Sequence, residues 1–256
     1  MLTPQIIDAQ NHRAFSSPFA VKAYTAVDGL TPGEVTILET LRSRITDKAI
    51  LDIGVGAGRT TPSLLEISRD YTAIDYSEVL VHQARKRFGL DSIYCCDVRD
   101  MSRFPDRGFD FVYFSFNGLD CISHKGRLRA LGEIRRVLKP QGIFLFSSHN
   151  RAHLEDPPGA TRQYTRIESI KRAVWKMLLL PRHFRLRRHE TATSEYAIVN
   201  DSGLRYSLLL YYITISSQVA QLEKLEFSVQ HVYDMQGTPV GYDDRSPWIY
   251  YLVTTP

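Results

Sequence analysis

Cysteine is scarce in this chain: three in 256 residues, Cys95, Cys96 and Cys121, two of them adjacent. An odd, clustered set offers no disulfide framework, and without a CxxC pair no structural metal site is expected either. The expected setting is reducing and cytoplasmic. Long apolar runs are missing too, and none approaches the roughly 18 residues that a membrane-spanning helix needs. The opening stretch MLTPQIIDAQNHRAF lacks the basic cap and apolar core of a secretory signal. Charge of one sign is also absent: 32 Lys and Arg against 28 Asp and Glu leave +4, too mild to imply nucleic acid by itself. What the chain does have is a 43% hydrophobic content, enough for a full core without covalent staples.

Strand and helix patterns alternate through the first 150 residues. AILDIG (49–54) is a continuous apolar run, as expected of a strand covered on both faces. TTPSLLEIS follows as a helix with Pro62 in its first turn. YTAIDYS (71–77), SIYCCDV and FDFVYFSF (109–116) read as the next strands, with EVLVHQARKRF as a helix after the first of them. HKGRLRALGEIRRVLKP is an amphipathic helix stopped by Pro140, and GIFLFSSHN is a fifth strand. The alternation predicts an α/β fold: a doubly wound, mostly parallel, seven-stranded sheet with helices on both faces.

The pattern then changes. Residues 151–190 hold ten Lys or Arg against four Asp or Glu. TATSEYAIVN and LRYSLLLYYIT flank DSG, the layout of an antiparallel hairpin closed by that turn. SSQVAQLEKLEF resumes the helix pattern, and SVQHVYD and WIYYLVTT supply two last strands. The division is therefore 1–150, an N-terminal helical lid and the first half of the domain; 151–214, an inserted helix and antiparallel hairpin after strand five; and 215–256, the rest of the same domain.

The turn after the first strand carries Gly54, Gly56 and Gly58. The dinucleotide fingerprint asks for a glycine where this chain has Arg59, and no G-K-[ST] follows for a phosphate loop. Asp52 sits just before the first glycine, where a carboxylate suits a cationic ligand better than a pyrophosphate. Asp75 closes the second strand, 21 residues after Gly54, the place from which an acid reaches a ribose diol. Asp97 closes the third, placed to accept from an adenine amino group. Three acids at one sheet edge suit a nucleoside that carries positive charge.

With LDIGVGAGRT, AIDYS, CDVRDM, FDFVYFSF and ALGEIRRVLKPQGIFLFSSHN in this order, the chain resembles the class I S-adenosylmethionine-dependent methyltransferases, small-molecule type. The resemblance is strong over about residues 20–150 and weaker over the terminal helix and strands. It implies S-adenosyl-L-methionine as cofactor. Gly54 and Gly56 would face its methionine part, and Asp52 belongs to the same cradle. Arg59 or the helix behind it would meet its carboxylate. Asp75 would hold the ribose, Tyr76 would flank the adenine, and Asp97 with Val98 would read its edge. Phe114 or Phe116 would lie against the cofactor, and Tyr24 would close over the methionine.

Methyl transfer needs an acceptor atom in line with the sulfonium, water kept out, and a base where the acceptor proton is held tightly. His149, ending the fifth strand, is the candidate base; Asn117, a further catalytic candidate, and Asp120 lie on the neighbouring loop, and His124 a little further on. Tyr164, Tyr196, Tyr211 and Tyr212 are candidates to line an acceptor pocket under the 151–214 lid. The expected acceptor is an oxygen or nitrogen of a small metabolite, of sugar or secondary-metabolite type. An RNA bound by the basic insertion is disfavoured by SFNG standing where amino-methylating nucleic-acid enzymes carry N/D-P-P-[YF]. IKRAVWKMLLLPRHFRLRR has the mixed apolar and basic character of an interfacial segment, which leaves a membrane lipid or quinone as a further alternative. The hairpin also offers an edge through which two copies could pair.

Overall fold

The computed structural model describes the backbone of residues 4–154 and 166–256, and side chains from residue 5 and, after the gap, from residue 177. Helices α1 (Pro4–Phe15), α2 (Pro18–Thr25) and α3 (Pro32–Ile45) come first. Each begins with proline, which needs no hydrogen-bond acceptor in a first turn. Thr31 caps α3 in a reciprocal capping box with Glu34. The alternating half follows: β1 (Ile50–Ile53), α4 (Thr61–Ile67), β2 (Tyr71–Asp75), α5 (Glu78–Phe88), β3 (Ile93–Cys95), β4 (Phe109–Phe114), a 3-10 turn at Gly118–Cys121, α6 (His124–Val137) and β5 (Leu138–Asn150). The insertion contributes α7 (Arg151–Leu154), α8 (Arg166–Arg187), β6 (Thr191–Ala192), β7 (Tyr196–Val199) and β8 (Leu210–Ile213). The chain ends with α9 (Ile215–Lys224), β9 (Ser228–Tyr233) and β10 (Trp248–Thr254).

Strands β3, β2, β1, β4 and β5 are parallel neighbours, and β10 and β9 continue the sheet antiparallel beyond β5. That is the seven-stranded core expected from the sequence. Alternate strand residues feed two apolar layers. Leu51, Ile53, Val112, Phe114, Phe144 and Phe146 pack on α6 and α9. Ile50, Tyr71, Ala73, Phe111, Tyr113 and Leu145 pack on α3, α4 and α5.

The insertion differs from a separate lid. Past the end of β4, the last residues of β5 pair in parallel with β8, His149 opposite Tyr212 and Asn150 opposite Ile213. β7 and β6 then extend the same sheet to ten strands. The hairpin is therefore built onto the edge that β4 leaves free. Its closure also differs from the expected tight DSG turn: β7 ends at Val199 and β8 starts at Leu210. The intervening loop is held by buried Asn200, whose amide donates to the Tyr206 and Leu208 carbonyls, while Asp201 accepts from the Gly203 amide.

Candidate active site

The carboxyl ends of β1, β2 and β4 open into a cleft lined by Gly54, Gly56, Asp75, Tyr76, Val98 and Phe114, with Phe15 and Tyr24 closing it from α1 and α2. Gly54 and Gly56 take left-handed backbone angles, φ +67° and +56°. A Cβ on Gly54 would stand 2.8 Å from the Phe114 ring, whereas one on Gly56 would meet nothing within 4 Å. The first glycine thus admits Phe114, and the second leaves open space for a ligand. Gly58 does the close packing that a dinucleotide fingerprint assigns to its last glycine: its Cβ would come within 2.2 Å of Phe88 on α5.

Asp75 is oriented by its own neighbourhood. Its Oδ2 accepts from the Gly56 amide at 2.9 Å and its Oδ1 from the Ser77 amide at 2.8 Å. Burial raises its carboxyl to about pKa 6 against those two bonds. A buried carboxylate with spare lone pairs is short of donors, and a ribose diol supplies two. The buried Tyr76 hydroxyl has no partner among the described residues. Its ring lies 5.1 Å from that of His12 and 6.2 Å from Phe15. Acid, orphaned hydroxyl, empty glycine cradle and apolar walls fit a nucleoside.

Three expected ligands of that cradle are spoken for elsewhere. Asp52 faces the α3–α5 layer, 1% exposed, and accepts from Thr60 Oγ1 at 2.6 Å and from the Tyr71 hydroxyl at 2.9 Å. One residue along a strand reverses the face, so the carboxylate beside Ile53 points away from the cleft. Burial raises it to about 7. Arg59 forks onto Glu34 of α3 with two 2.7 Å bonds and also donates to the Gly29 carbonyl and Ser115 Oγ. Glu34 is fully buried, so the guanidinium is neutralised by the fold and serves to tie α3 to the glycine turn. Asp97 is held by Arg99, whose Nη2 lies at 2.5 Å. Burial works to raise the Asp97 carboxyl, but Arg99 outweighs it and leaves the pKa low. Asp97 lines the adjoining cleft under α1, shared with Asp8, His12, Val98 and Phe114. There Arg99 also pairs with Asp8.

Beyond the cleft, β4 runs into Ser115–Gly118. Phe116 and Asn117 both have positive φ, +53° and +56°. For a bulky residue that is a strained conformation of the kind concentrated at functional loops. Phe116 keeps its ring 43% exposed at the cleft mouth. Asn117 is 7% exposed, and its Oδ1 has no partner among the described residues. Its Nδ2 lies 3.2 Å from His149 Nε2, and His149 Nδ1 lies 2.8 Å from Asp120 Oδ2. The structure thus brings His149, Asn117 and Asp120 together beside the cleft, with Tyr212 packed on the imidazole at 4.8 Å. His124 lies apart. Its Nδ1 bonds the Tyr211 hydroxyl and its ring stacks on Tyr196 at 4.3 Å. Tyr164 lies outside the described residues.

Sequence reasoning missed Arg127, which is fully buried against Asp120. An arginine in an amphipathic helix rich in Lys and Arg gives no sign that it faces inward. His149 and His153 stand four residues apart, but β5 ends between them and His153 turns to the Arg245 carbonyl. Among the described residues no group of three potential metal ligands occurs, and no described helix is long and apolar enough to cross a membrane.

Residues 50–142 match the family described as "Methyltransferase domain". Over 123 residues the chain is 30% identical to a malonyl-[acyl-carrier protein] O-methyltransferase of Erwinia pyrifoliae, covering 48% of this chain and 45% of that one. It is 26% identical over 129 residues to a tRNA N(3)-methylcytidine methyltransferase of Schizosaccharomyces pombe, covering 46% and 42%. The chain spans less than half the length of these curated relatives. Among solved structures it resembles the Burkholderia thailandensis 1,6-didemethyltoxoflavin-N1-methyltransferase with bound 1,6-didemethyltoxoflavin and S-adenosylhomocysteine. The TM-score is 0.63 at 14% identity, over 100% of this chain and 91% of that one.

Proposed function

We propose, for a chain that belongs through residues 50–142 to the class I S-adenosylmethionine-dependent methyltransferases, that it transfers a methyl group to an oxygen or nitrogen of a small metabolite. The observation that carries this reading is the adjacency of two features along one loop. Phe114, Ser115, Phe116 and Gly118 line the nucleoside cleft, and Asn117 within the same stretch meets His149. When bound, S-adenosylmethionine supplies an electrophilic methyl on a positively charged sulfur.

The chain's own residues do the rest. Asp75 holds the ribose hydroxyls, Tyr76 and Val98 flank the base, and Gly54 and Gly56 give backbone room to the methionine end. Tyr24 and Phe15 cover the cleft and exclude water. An acceptor would sit at the Phe116–Asn117 end. Its O–H or N–H proton would pass to His149, while the cofactor would give up its methyl and leave as S-adenosylhomocysteine. General-base help of this kind is worth about 10²–10⁴-fold.

A second reading has its own observation. On α8, Met177, Leu178 and Phe184 are 72%, 67% and 62% exposed, close in the chain to Arg185, Arg187 and Arg188. Apolar residues flanked by basic ones suit an anionic lipid surface and an amphiphilic acceptor.

The test is S-adenosylhomocysteine release from S-adenosylmethionine across a panel of hydroxylated and amino metabolites, with bulk tRNA and lipid-loaded anionic vesicles as the other arms. Turnover on a metabolite, reduced on the order of 100-fold in His149→Ala with cofactor affinity kept, is the expected result. Turnover on tRNA or vesicles alone overturns the metabolite reading, and unchanged turnover in His149→Ala removes the base.

A further inference from the structure

We propose that Asp120 and Arg127 are positioning residues that hold His149 as its Nδ1–H tautomer, so that Nε2 is the bare nitrogen, which accepts from Asn117 Nδ2 in this structure and takes up the acceptor proton once an acceptor displaces that amide. The purpose of this arrangement rests on the methyl-transfer reading above; the geometry does not.

Asp120 is 0% exposed, and four donors converge on its two oxygens. Oδ2 takes the His149 backbone amide at 2.6 Å and faces ring Nδ1 at 2.8 Å. Oδ1 takes Arg127 Nη1 at 2.5 Å and Ser148 Oγ at 2.7 Å. So served, the carboxylate has no room for a proton of its own, and an acceptor facing Nδ1 requires the hydrogen to sit on Nδ1. Ring orientation is fixed from the other sides by Tyr212 and Asn117. Nε2 therefore points towards the Asn117 loop, whose neighbours Phe116 and Gly118 line the cleft.

Arg127 supplies the buried counter-charge that faces Asp120. Its guanidinium is fully buried, donates to Gln218 and Gln221 of α9 and to Ser148 Oγ, and lies 4.6 Å over the Tyr211 ring. Buried ion pairs of this kind are no better for stability than apolar residues of the same volume. Stability alone therefore gives no reason to keep a charged pair and three polar partners here. A proton taken up at Nε2 makes an imidazolium, and its charge then faces a carboxylate already in place, with no reorganisation during the reaction. The chain of contacts also joins the three segments of the molecule. Asp120 and Arg127 come from the first half, Tyr211 and Tyr212 from the insertion, and Gln218 and Gln221 from the last helix.

The experiment is long-range ¹H–¹⁵N NMR on the full chain labelled with ¹⁵N-histidine, with His149 assigned by its loss in His149→Gln. The wild type is expected to show Nδ1 as the protonated nitrogen and Nε2 as the bare one. Asp120→Asn, whose amide can donate to Nδ1, is expected to move the hydrogen to Nε2. Arg127→Met is expected to populate both tautomers, and Arg127→Lys to restore the wild-type pattern. A wild-type His149 protonated at Nε2 overturns the proposal whether or not the variants fold. So does an unchanged tautomer in folded Asp120→Asn, and an unchanged pattern in folded Arg127→Met removes Arg127 from it. Titration of the same sample with S-adenosylhomocysteine separates the two ideas: binding with the wrong tautomer overturns this proposal alone, and the right tautomer without binding overturns the cofactor reading alone.

Discussion

The cleft at the ends of β1 and β2 and the polar cluster at the end of β5 share the loop at residues 115–118, yet they are made of different materials. The cleft is built from backbone and neighbours in sequence: two left-handed glycines, and an acid held by amides 19 and two residues away. The cluster is built from side chains of the 3-10 turn, α6, β5 and α9 that lie 7 to 94 residues apart. One is an open receptacle with unmet hydrogen-bonding capacity. The other is nearly saturated, and its orphan among the described residues is the Asn117 side-chain Oδ1. The difference implies that damage to the cleft costs affinity, whereas damage to the cluster costs stability and turnover.

Arg127→Met gives the largest expected effect. It leaves Asp120 buried without its counter-charge and is expected to cost about 3–5 kcal/mol in urea unfolding. A loss under about 1 kcal/mol would break the contrast, since the cluster would then be no more costly to disturb than the surface. Next comes Asp75→Ala, which deletes the proposed ribose acceptor and is expected to weaken S-adenosylhomocysteine on the order of 100-fold by calorimetry.

A smaller effect comes from pH. Burial places the Asp75 carboxyl at about 6, above its ordinary value, so the folded state holds that proton over a window where the unfolded chain has released it. Stability contributed by this group is present at low pH and lost as pH rises through about 6. Ligand affinity runs the other way, because the ionised form is the better acceptor. S-adenosylhomocysteine binding should strengthen as pH rises through about 6, by at most roughly tenfold per unit, and Asp75→Ala should flatten the curve. A wild-type affinity that is level across that range would contradict the role of Asp75.

Smallest of all is Asp52→Asn. Asp52 faces away from the cleft, so affinity should stay within about threefold of wild type. The same variant should flatten the fall in stability as pH rises towards about 7, the value to which burial raises this group.

These contrasts match what could be read from residues alone. The succession of parallel strands and the glycine turn were legible because buried parallel strands are runs of apolar residues and the turn demands glycine. The place of Asp75 and Tyr76 in the cleft lining was legible because Asp75 closes β2 and Tyr76 follows it, at the carboxyl edge of the sheet. Asp52 and Arg59 were not, since their orientation depends on which face of β1 is inward and on a buried Glu34 that lies 25 residues upstream. His149 and Asn117 could be paired from their strand ends. Arg127 could not, because a long polar side chain on a helix is ordinarily solvated, and only packing of α6 against α9 and β8 turns it inward. The hairpin was legible as two strands, but its union with β5 depended on β4 being shorter than its neighbour.

The division of labour is tested most directly by titrating S-adenosylhomocysteine into Asp75→Ala and His149→Ala side by side. The account predicts that the first loses binding and the second keeps wild-type affinity. Equal loss in both, or none in Asp75→Ala, would contradict it.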